Sequence, residues 1–202
     1  MNTPIDVLTD CGYVKRWSMV GTDKESTVAS HSFDVAMIAM DIRSRMFNTA
    51  DIGERDVCYF ALIHDVKESY TGDIPTPTKT GMKLAGFDPD NYNDDQISEE
   101  PAPAKIQAII KAADLISNYV FISAHGIGTR ARVAAAEVGG RLREYLDSAS
   151  ADLRDAATDT MTYIIERGSD ADEERKRLEE KRKTMHRVGP GFKPSLVMDR
   201  KS

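Results

Sequence analysis

The stretch Val57-Cys58-Tyr59-Phe60-Ala61-Leu62-Ile63-His64-Asp65-Val66-Lys67-Glu68 decides how the whole chain reads. Its first seven residues are apolar without a break, which marks a helix buried on all sides rather than one with a wet face. Over a helix expected at residues 55–70, the spacing sets Val57, Ala61, His64 and Glu68 on one face, with Asp65 one step round. An imidazole and two carboxylates are thus carried into apolar surroundings, where ionisable groups are costly unless each finds a partner.

Outward from this helix, nearly every periodic segment repeats at helical spacing. Residues 4–14 carry Ile5, Leu8 and Cys11, and residues 30–47 carry Val35, Ile38, Ala39, Ile42 and Met46. Residues 104–123 carry Ile106, Ile109, Ile110, Ala113, Ile116 and Val120. Residues 130–147 carry Val138, Leu142 and Tyr145, although Gly139 and Gly140 weaken that helix by ~1 kcal/mol each relative to Ala. Residues 152–167 carry Leu153, Ala157, Met161 and Ile164. No strand alternation and no internal repeat stands out, so the fold class is all-α.

Composition narrows the function classes. The chain has 202 residues, 41% hydrophobic and 30% charged, with a formal net charge of −6. That length suits one domain, expected over residues 1–168, followed by a charged helix and tail over 169–202. An acidic chain argues against a polymeric nucleic acid or an anionic membrane as partner. It does not exclude a small anion held by one or two local cations. Cys11 and Cys58 are too few for a disulfide framework. No stretch has ~18 uninterrupted apolar residues, and Met1–Asp6 has no basic region leading into an apolar one. The expectation is a cytoplasmic protein.

Two further segments bear on His64 and Asp65. His31 lies in the first turn of the helix opened by Ser30-His31-Ser32. Asp114 sits within Lys111-Ala112-Ala113-Asp114-Leu115-Ile116; read as lacking a nearby cation, it asks for a buried one. His31, His64, Asp65 and Asp114 together supply two imidazoles and two carboxylates, a donor set suited to Mn, Co, Fe or Zn with positions left open to water and substrate. Glu68, one turn beyond His64, is placed to reach a water on such an ion.

One His, then His-Asp about thirty residues on, then a lone helical Asp, resembles the HD-domain metal phosphohydrolases. The resemblance sharpens at Thr71-Gly72-Asp73-Ile74-Pro75-Thr76-Pro77-Thr78-Lys79 and at Arg16-Trp17. These segments are similar to the bacterial HD-domain 5′-deoxynucleotidases and to phage deoxynucleoside triphosphohydrolases, and the likeness covers residues 13–120. It implies a helical HD-domain bundle with one divalent ion, Co, Mn or Zn with Mg also open, on His31, His64, Asp65 and Asp114. It makes Asp65 and Glu68 catalytic, with Glu68 transferring the proton, and places Arg16, Trp17, Asp73 and Lys79 at the nucleotide. Arg16 offers a forked phosphate donor and Lys79 a point charge. Trp17 offers a wall that leaves no room for a ribose 2′-hydroxyl, and Asp73 an acceptor for a sugar hydroxyl.

The expected reaction is hydrolysis of 5′-deoxynucleoside monophosphates to deoxynucleoside and phosphate. The rivals are release of triphosphate from deoxynucleoside triphosphates, hydrolysis of guanosine alarmones, against which the Thr-Gly-Asp-x-Pro-Thr-Pro stretch argues, and a nucleotide-binding module without turnover. Family members are homo-oligomers, so a dimer or larger is expected.

The remaining segments read as punctuation. Pro75 and Pro77 suggest a stiff, extended loop at the pocket wall. Residues 71–103 read as a solvated loop, with six acidic residues and no Lys or Arg between Leu84 and Ala104. Asp88–Glu99 only loosely follows a calcium loop, because Asn93 stands where the turn glycine is needed. Gly126 is expected to cap the helix before it, leaving His125 near the surface and Arg130 beyond. Ala171, Leu178 and Met185 recur every seven residues among thirteen charges in 170–187, which reads as a solvated helix. His186 is expected to face solvent there, and the tail from Gly189 to Pro194 cannot continue the helix.

Overall fold

A computed structural model describes residues 4–47, 49–89 and 102–187. The chain runs through α1 (Pro4–Asp10), β1 (Gly21–Thr22), α2 (Val28–Arg45), α3 (Glu54–Ile63), α4 (Glu68–Thr71), α5 (Thr76–Leu84), α6 (Ala104–His125), β2 (Gly126–Ile127), α7 (Gly128–Ser148) and α8 (Ala151–Arg187). It is an all-α bundle, with one strand pair too short to alternate in sequence. Gly21 pairs with Ile127 and Thr22 with Gly126, antiparallel.

Thr27 starts α2 with a capping box. Ser30 N–H donates to Thr27 Oγ1 at 3.2 Å, and Thr27 N–H donates to Ser30 Oγ at 3.0 Å, so the helix opens two residues before Ser30. α2 packs on α3 and α6, and α6 packs on α7. Val35, Ala39, Ile42, Val57, Ala61, Ile109, Ala113 and Ile116 are fully buried at these crossings. The alanines let the helix backbones close in where bulkier side chains would hold them apart. A second cluster of Val7, Cys11, Val28, Ile63 and Val66 fixes the N-terminal segment against the end of α3. In and just after α1 it is Val7 and Cys11 that bury, while Leu8 stays exposed.

Three sequence expectations are corrected. The helix expected over 55–70 is broken after Ile63. Val66 and Glu68 N–H groups donate three residues back, to Ile63 O at 3.0 Å and Asp65 O at 2.9 Å. That tight turn advances faster per residue than an α-helix and re-aims His64, Asp65 and Glu68. The expected loop over Pro75–Lys79 is instead the start of α5, with Pro75 at its N-cap and Pro77 in its first turn. Proline is tolerated there because the first-turn N–H groups have no intrahelical acceptor. Finally, residues 152–167 and 170–187 form one continuous α8, since Gly168 does not interrupt it.

Packing divides the chain into two units, residues 1–162 and 163–202, with the boundary inside α8. Among the described residues no helix is long and apolar enough to cross a membrane. Most of the acidic stretch, including Asp90–Glu99 of the calcium-like loop, and the tail from Gly189 lie outside the described residues. So do the side chains of Ala171, Leu178, Met185 and His186.

Candidate active site

Three helices and the turn after α3 meet at His31. The capping box holds His31 in the first turn of α2, where it is buried. His64 caps the C-terminus of α3, Asp65 follows in the tight turn, and Asp114 comes from the middle of α6. Donor atoms of His31, His64 and Asp65 lie within 4.8 Å of one another, a grouping able to hold a metal ion. Asp65 Oδ2 is 3.7 Å from His31 Nε2 and 3.3 Å from His64 Nε2. Asp114 joins through Oδ1, 3.2 Å from His31 Nε2.

Both imidazoles are oriented from behind. His64 Nδ1 lies 2.7 Å from Ala61 O, which only an N–H can satisfy, so in the neutral, ligating ring the lone pair sits on Nε2. That Nε2 is buried and makes no directed hydrogen bond. An orphaned, correctly turned imidazole nitrogen beside a carboxylate is what a divalent ion needs, so the residues fit a metal. His31 Nδ1 lies 3.2 Å from Ser117 Oγ, a hydroxyl that orients the ring and serves either tautomer, since it can donate or accept.

Charge follows burial and neighbours. Burial, reinforced by the Arg16 charge, lowers the His31 pKa and favours the neutral, ligating form. Burial lowers the His64 pKa too, but Asp65 and Asp114 outweigh it and raise the value. Burial would raise Asp65 and Asp114. Against it, His64 and Arg16 hold Asp65, and His31 and Lys111 hold Asp114, well below the usual carboxylate range. Glu68 goes the opposite way: burial and the Asp65 charge push it to about 7 despite Arg16 and Lys79.

Arg16 is the hub of the cation side. Its N–H donates to Ser26 O at 2.9 Å, pairing this segment with the approach to α2. Its Nη1 donates to Asp65 Oδ2 at 2.9 Å and Glu68 Oε2 at 3.3 Å, and its Nη2 to Asn118 Oδ1 at 3.2 Å. The buried Nε makes no hydrogen bond. Lys79, on α5, reaches Glu68 Oε1 at 3.4 Å. Arg16, His31, His64, Asp65, Glu68, Lys79 and Asp114 therefore belong to one network. Trp17 and Asp73 meet each other beside it, with the Trp17 N–H donating to Asp73 Oδ2 at 3.3 Å. Trp17 has a φ of 61°, a left-handed conformation that strains a bulky residue. The Asp73 contact and stacking on Phe121, ring centroids 6.1 Å apart, hold it there.

Asp114 does have a neighbouring cation. Lys111 Nζ lies 2.9 Å from Asp114 Oδ2, reaching along α6 from three residues back, so the sequence argument from a missing cation fails. What singles out Asp114 is Oδ1, which faces His31 and Asn118. Sequence reading passed over Ser117 and Asn118, short polar residues with no charge to draw notice. Their positions three and four residues after Asp114 were the available signal. Gly126 caps α6 as expected, its N–H donating to Ile122 O. His125 is partly exposed, with Nδ1 2.9 Å from Asp23 Oδ1, and Arg130 is exposed.

Comparison with known proteins gives this arrangement its class. The cyanophage S-2L HD phosphohydrolase DatZ, solved with dA and one catalytic Zn2+ ion, superposes with a TM-score of 0.65 at 22% identity, over 83% of this chain and 99% of that one. The fold is therefore that of an HD-domain phosphohydrolase. A sequence model of the 5′-deoxynucleotidase YfbR-like family matches residues 5–84. The dATP triphosphohydrolase of Salmonella phage PMBT28 is 31% identical over 163 residues, 77% of this chain and 84% of the relative. The 5′-deoxynucleotidase YfbR of Salmonella typhi is 30% identical over 129 residues, 53% of this chain and 64% of the relative, so the match spans less than two thirds of that protein. The chain belongs to the HD-domain phosphohydrolases of the YfbR-like family.

Proposed function

We propose that this chain hydrolyses 2′-deoxynucleotides in a metal-dependent reaction, taking 5′-deoxynucleoside monophosphates to deoxynucleoside and phosphate. The observation that carries this reading is His64: Nδ1 bound to Ala61 O, Nε2 buried and unsatisfied, and Asp65 Oδ2 3.3 Å away. His31, His64, Asp65 and Asp114 hold one divalent ion, Co, Mn or Zn, which when bound supplies Lewis acidity toward water and a phosphoryl oxygen.

The chain's own residues do the rest. Arg16 is held by Asp65, Glu68 and Asn118, so it is already aimed at the site. The guanidinium would take the substrate phosphate as a forked donor. Lys79 adds positive charge where negative charge develops in the transition state. Glu68, with a pKa of about 7, is matched to accept a water proton on its carboxylate near neutral pH. Trp17, pinned by Asp73 and Phe121, forms the wall at the sugar, and Asp73 accepts a sugar hydroxyl.

A second reading, release of triphosphate from a deoxynucleoside triphosphate, is favoured by one observation. The phage dATP triphosphohydrolase matches 77% of the chain, well beyond the residues 5–84 that the family model covers. A panel of dAMP, AMP and dATP with Co, Mn, Zn and Mg, products resolved by chromatography, decides between them. Orthophosphate from dAMP but not AMP supports the first reading, and tripolyphosphate from dATP the second. No turnover with any metal overturns both. A cytoplasmic homo-oligomer completes the reading, with sedimentation as the check on assembly.

A further inference from the structure

Asn118 enters the scheme above only as one of three groups holding Arg16, yet it stands where the two halves of the site meet. One turn beyond Asp114 on α6, its Nδ2 donates to Asp114 Oδ1 at 2.7 Å and to Asp114 O at 3.0 Å. Its Oδ1 accepts from Arg16 Nη2 at 3.2 Å, a contact across 102 residues of sequence. The amide orientation is fixed by these partners, since the reverse would set donor against donor and oxygen against carboxylate.

On the metal-hydrolase reading, we infer that Asn118 is a positioning residue that links Arg16 to Asp114 while keeping the two from pairing directly. Arg and carboxylate form a strong forked pair when nothing separates them. Asp114 Oδ1 is also the oxygen that faces His31 Nε2 at 3.2 Å. A guanidinium that captured it would draw that oxygen away from the ion and leave the phosphate position. A neutral amide satisfies both partners at once. An acid at 118 would repel Asp114, a base would repel Arg16, and an aliphatic side chain would leave Arg16 Nη2 free to swing.

The test uses Asn118→Leu, which keeps the branching and heavy-atom count, with Asn118→Ala as the second variant should packing fail. Zinc binding to the metal-free protein is measured by calorimetry, and KM and kcat with whichever of dAMP or dATP the wild type cleaves. Freeing the guanidinium to capture Asp114 Oδ1 should weaken zinc binding about tenfold, the scale on which a changed hydrogen-bonded surrounding acts on a metal ligand. KM should rise about tenfold with kcat changed less than about threefold, because Arg16 binds ground and transition states alike. Adding Asn118→Leu to Arg16→Ala should then weaken zinc no further, since no guanidinium remains to capture Asp114. A role in packing alone would lower the melting temperature without this dependence on Arg16. Unchanged zinc affinity and KM in both variants overturn the inference, as does a zinc defect that persists in full without Arg16. A wild-type chain that binds no zinc and cleaves neither nucleotide overturns the underlying reading instead.

Discussion

Glu68 lies between two cations, Arg16 at 3.3 Å and Lys79 at 3.4 Å, and burial still prevails, raising its pKa from 4.5 to about 7. The folded chain therefore holds this proton more tightly than the unfolded chain. Stability from this group is full below pH 4.5 and is lost as pH rises through 7. In chelator-treated protein, urea midpoints from pH 5 to 8 should show wild type losing on the order of 3 kcal/mol more than Glu68→Gln. Parallel curves for the two proteins would refute this. In the loaded enzyme Glu68→Ala should lower turnover ~10²–10⁴-fold while metal stays bound, whereas Asp114→Ala should lose the metal; full activity of either variant would sink the assignment. At this scale the sequence was informative wherever a residue type is rare in its setting: His64 and Asp65 after seven apolar residues, Trp17 after Arg16. It was silent on Ser117 and Asn118, because an uncharged polar residue on a helix is ordinary until its partners are known. It misled on Lys111, whose distance from Asp114 along the helix is three residues and not the width of the protein.

Among the described glycines, Gly126, at the corner from α6 into β2, leaves the least room for a side chain. A Cβ at Gly126 would lie 2.4 Å from Ile122 O and 2.7 Å from Ala131 Cβ, neither of which can move without shifting α6 or α7. Gly126→Ala should cost about 1–3 kcal/mol by overpacking, read as a lower melting temperature, and an unchanged value would show that the corner relaxes freely. The helices whose apolar stripe repeats without a break, α2 and α6, were plain in the sequence because burial imposes that period. The break after Ile63 was not: apolar periodicity persists through Val66, and only the three-residue hydrogen bonds reveal the turn. α5 was hidden by its prolines, which read as helix breakers unless the first turn is known to begin there. The β1–β2 pair was invisible, since two residues cannot display alternation.

For the whole molecule, a bound divalent ion should act as a staple between α2, α3 and α6. At 100 times its Kd the ion contributes about 2.7 kcal/mol, a rise in Tm of ~5–10 °C for a chain of this size. Thermal unfolding with and without chelator checks this, and Asp114→Ala should show no such rise. Equal melting temperatures for loaded and chelated wild type would mean that the ion bridges nothing. The all-α class and the approximate set of converging residues were legible because they depend on pattern. Which atom faces which depends on how turns aim side chains, and pattern does not carry that. The long-range bonds of Arg16 also bear on how the chain is made. Residues 65 and 68 complete one side of its shell, but the other side waits for Asn118, 102 residues later. At ~5–20 residues per second of synthesis, the arginine and His31 pass ~5–20 s in a nascent chain that cannot yet enclose them. A product cut short after residue 84 would contain every residue that the family model matches and still lack Asp114, so detecting that segment does not guarantee a complete centre.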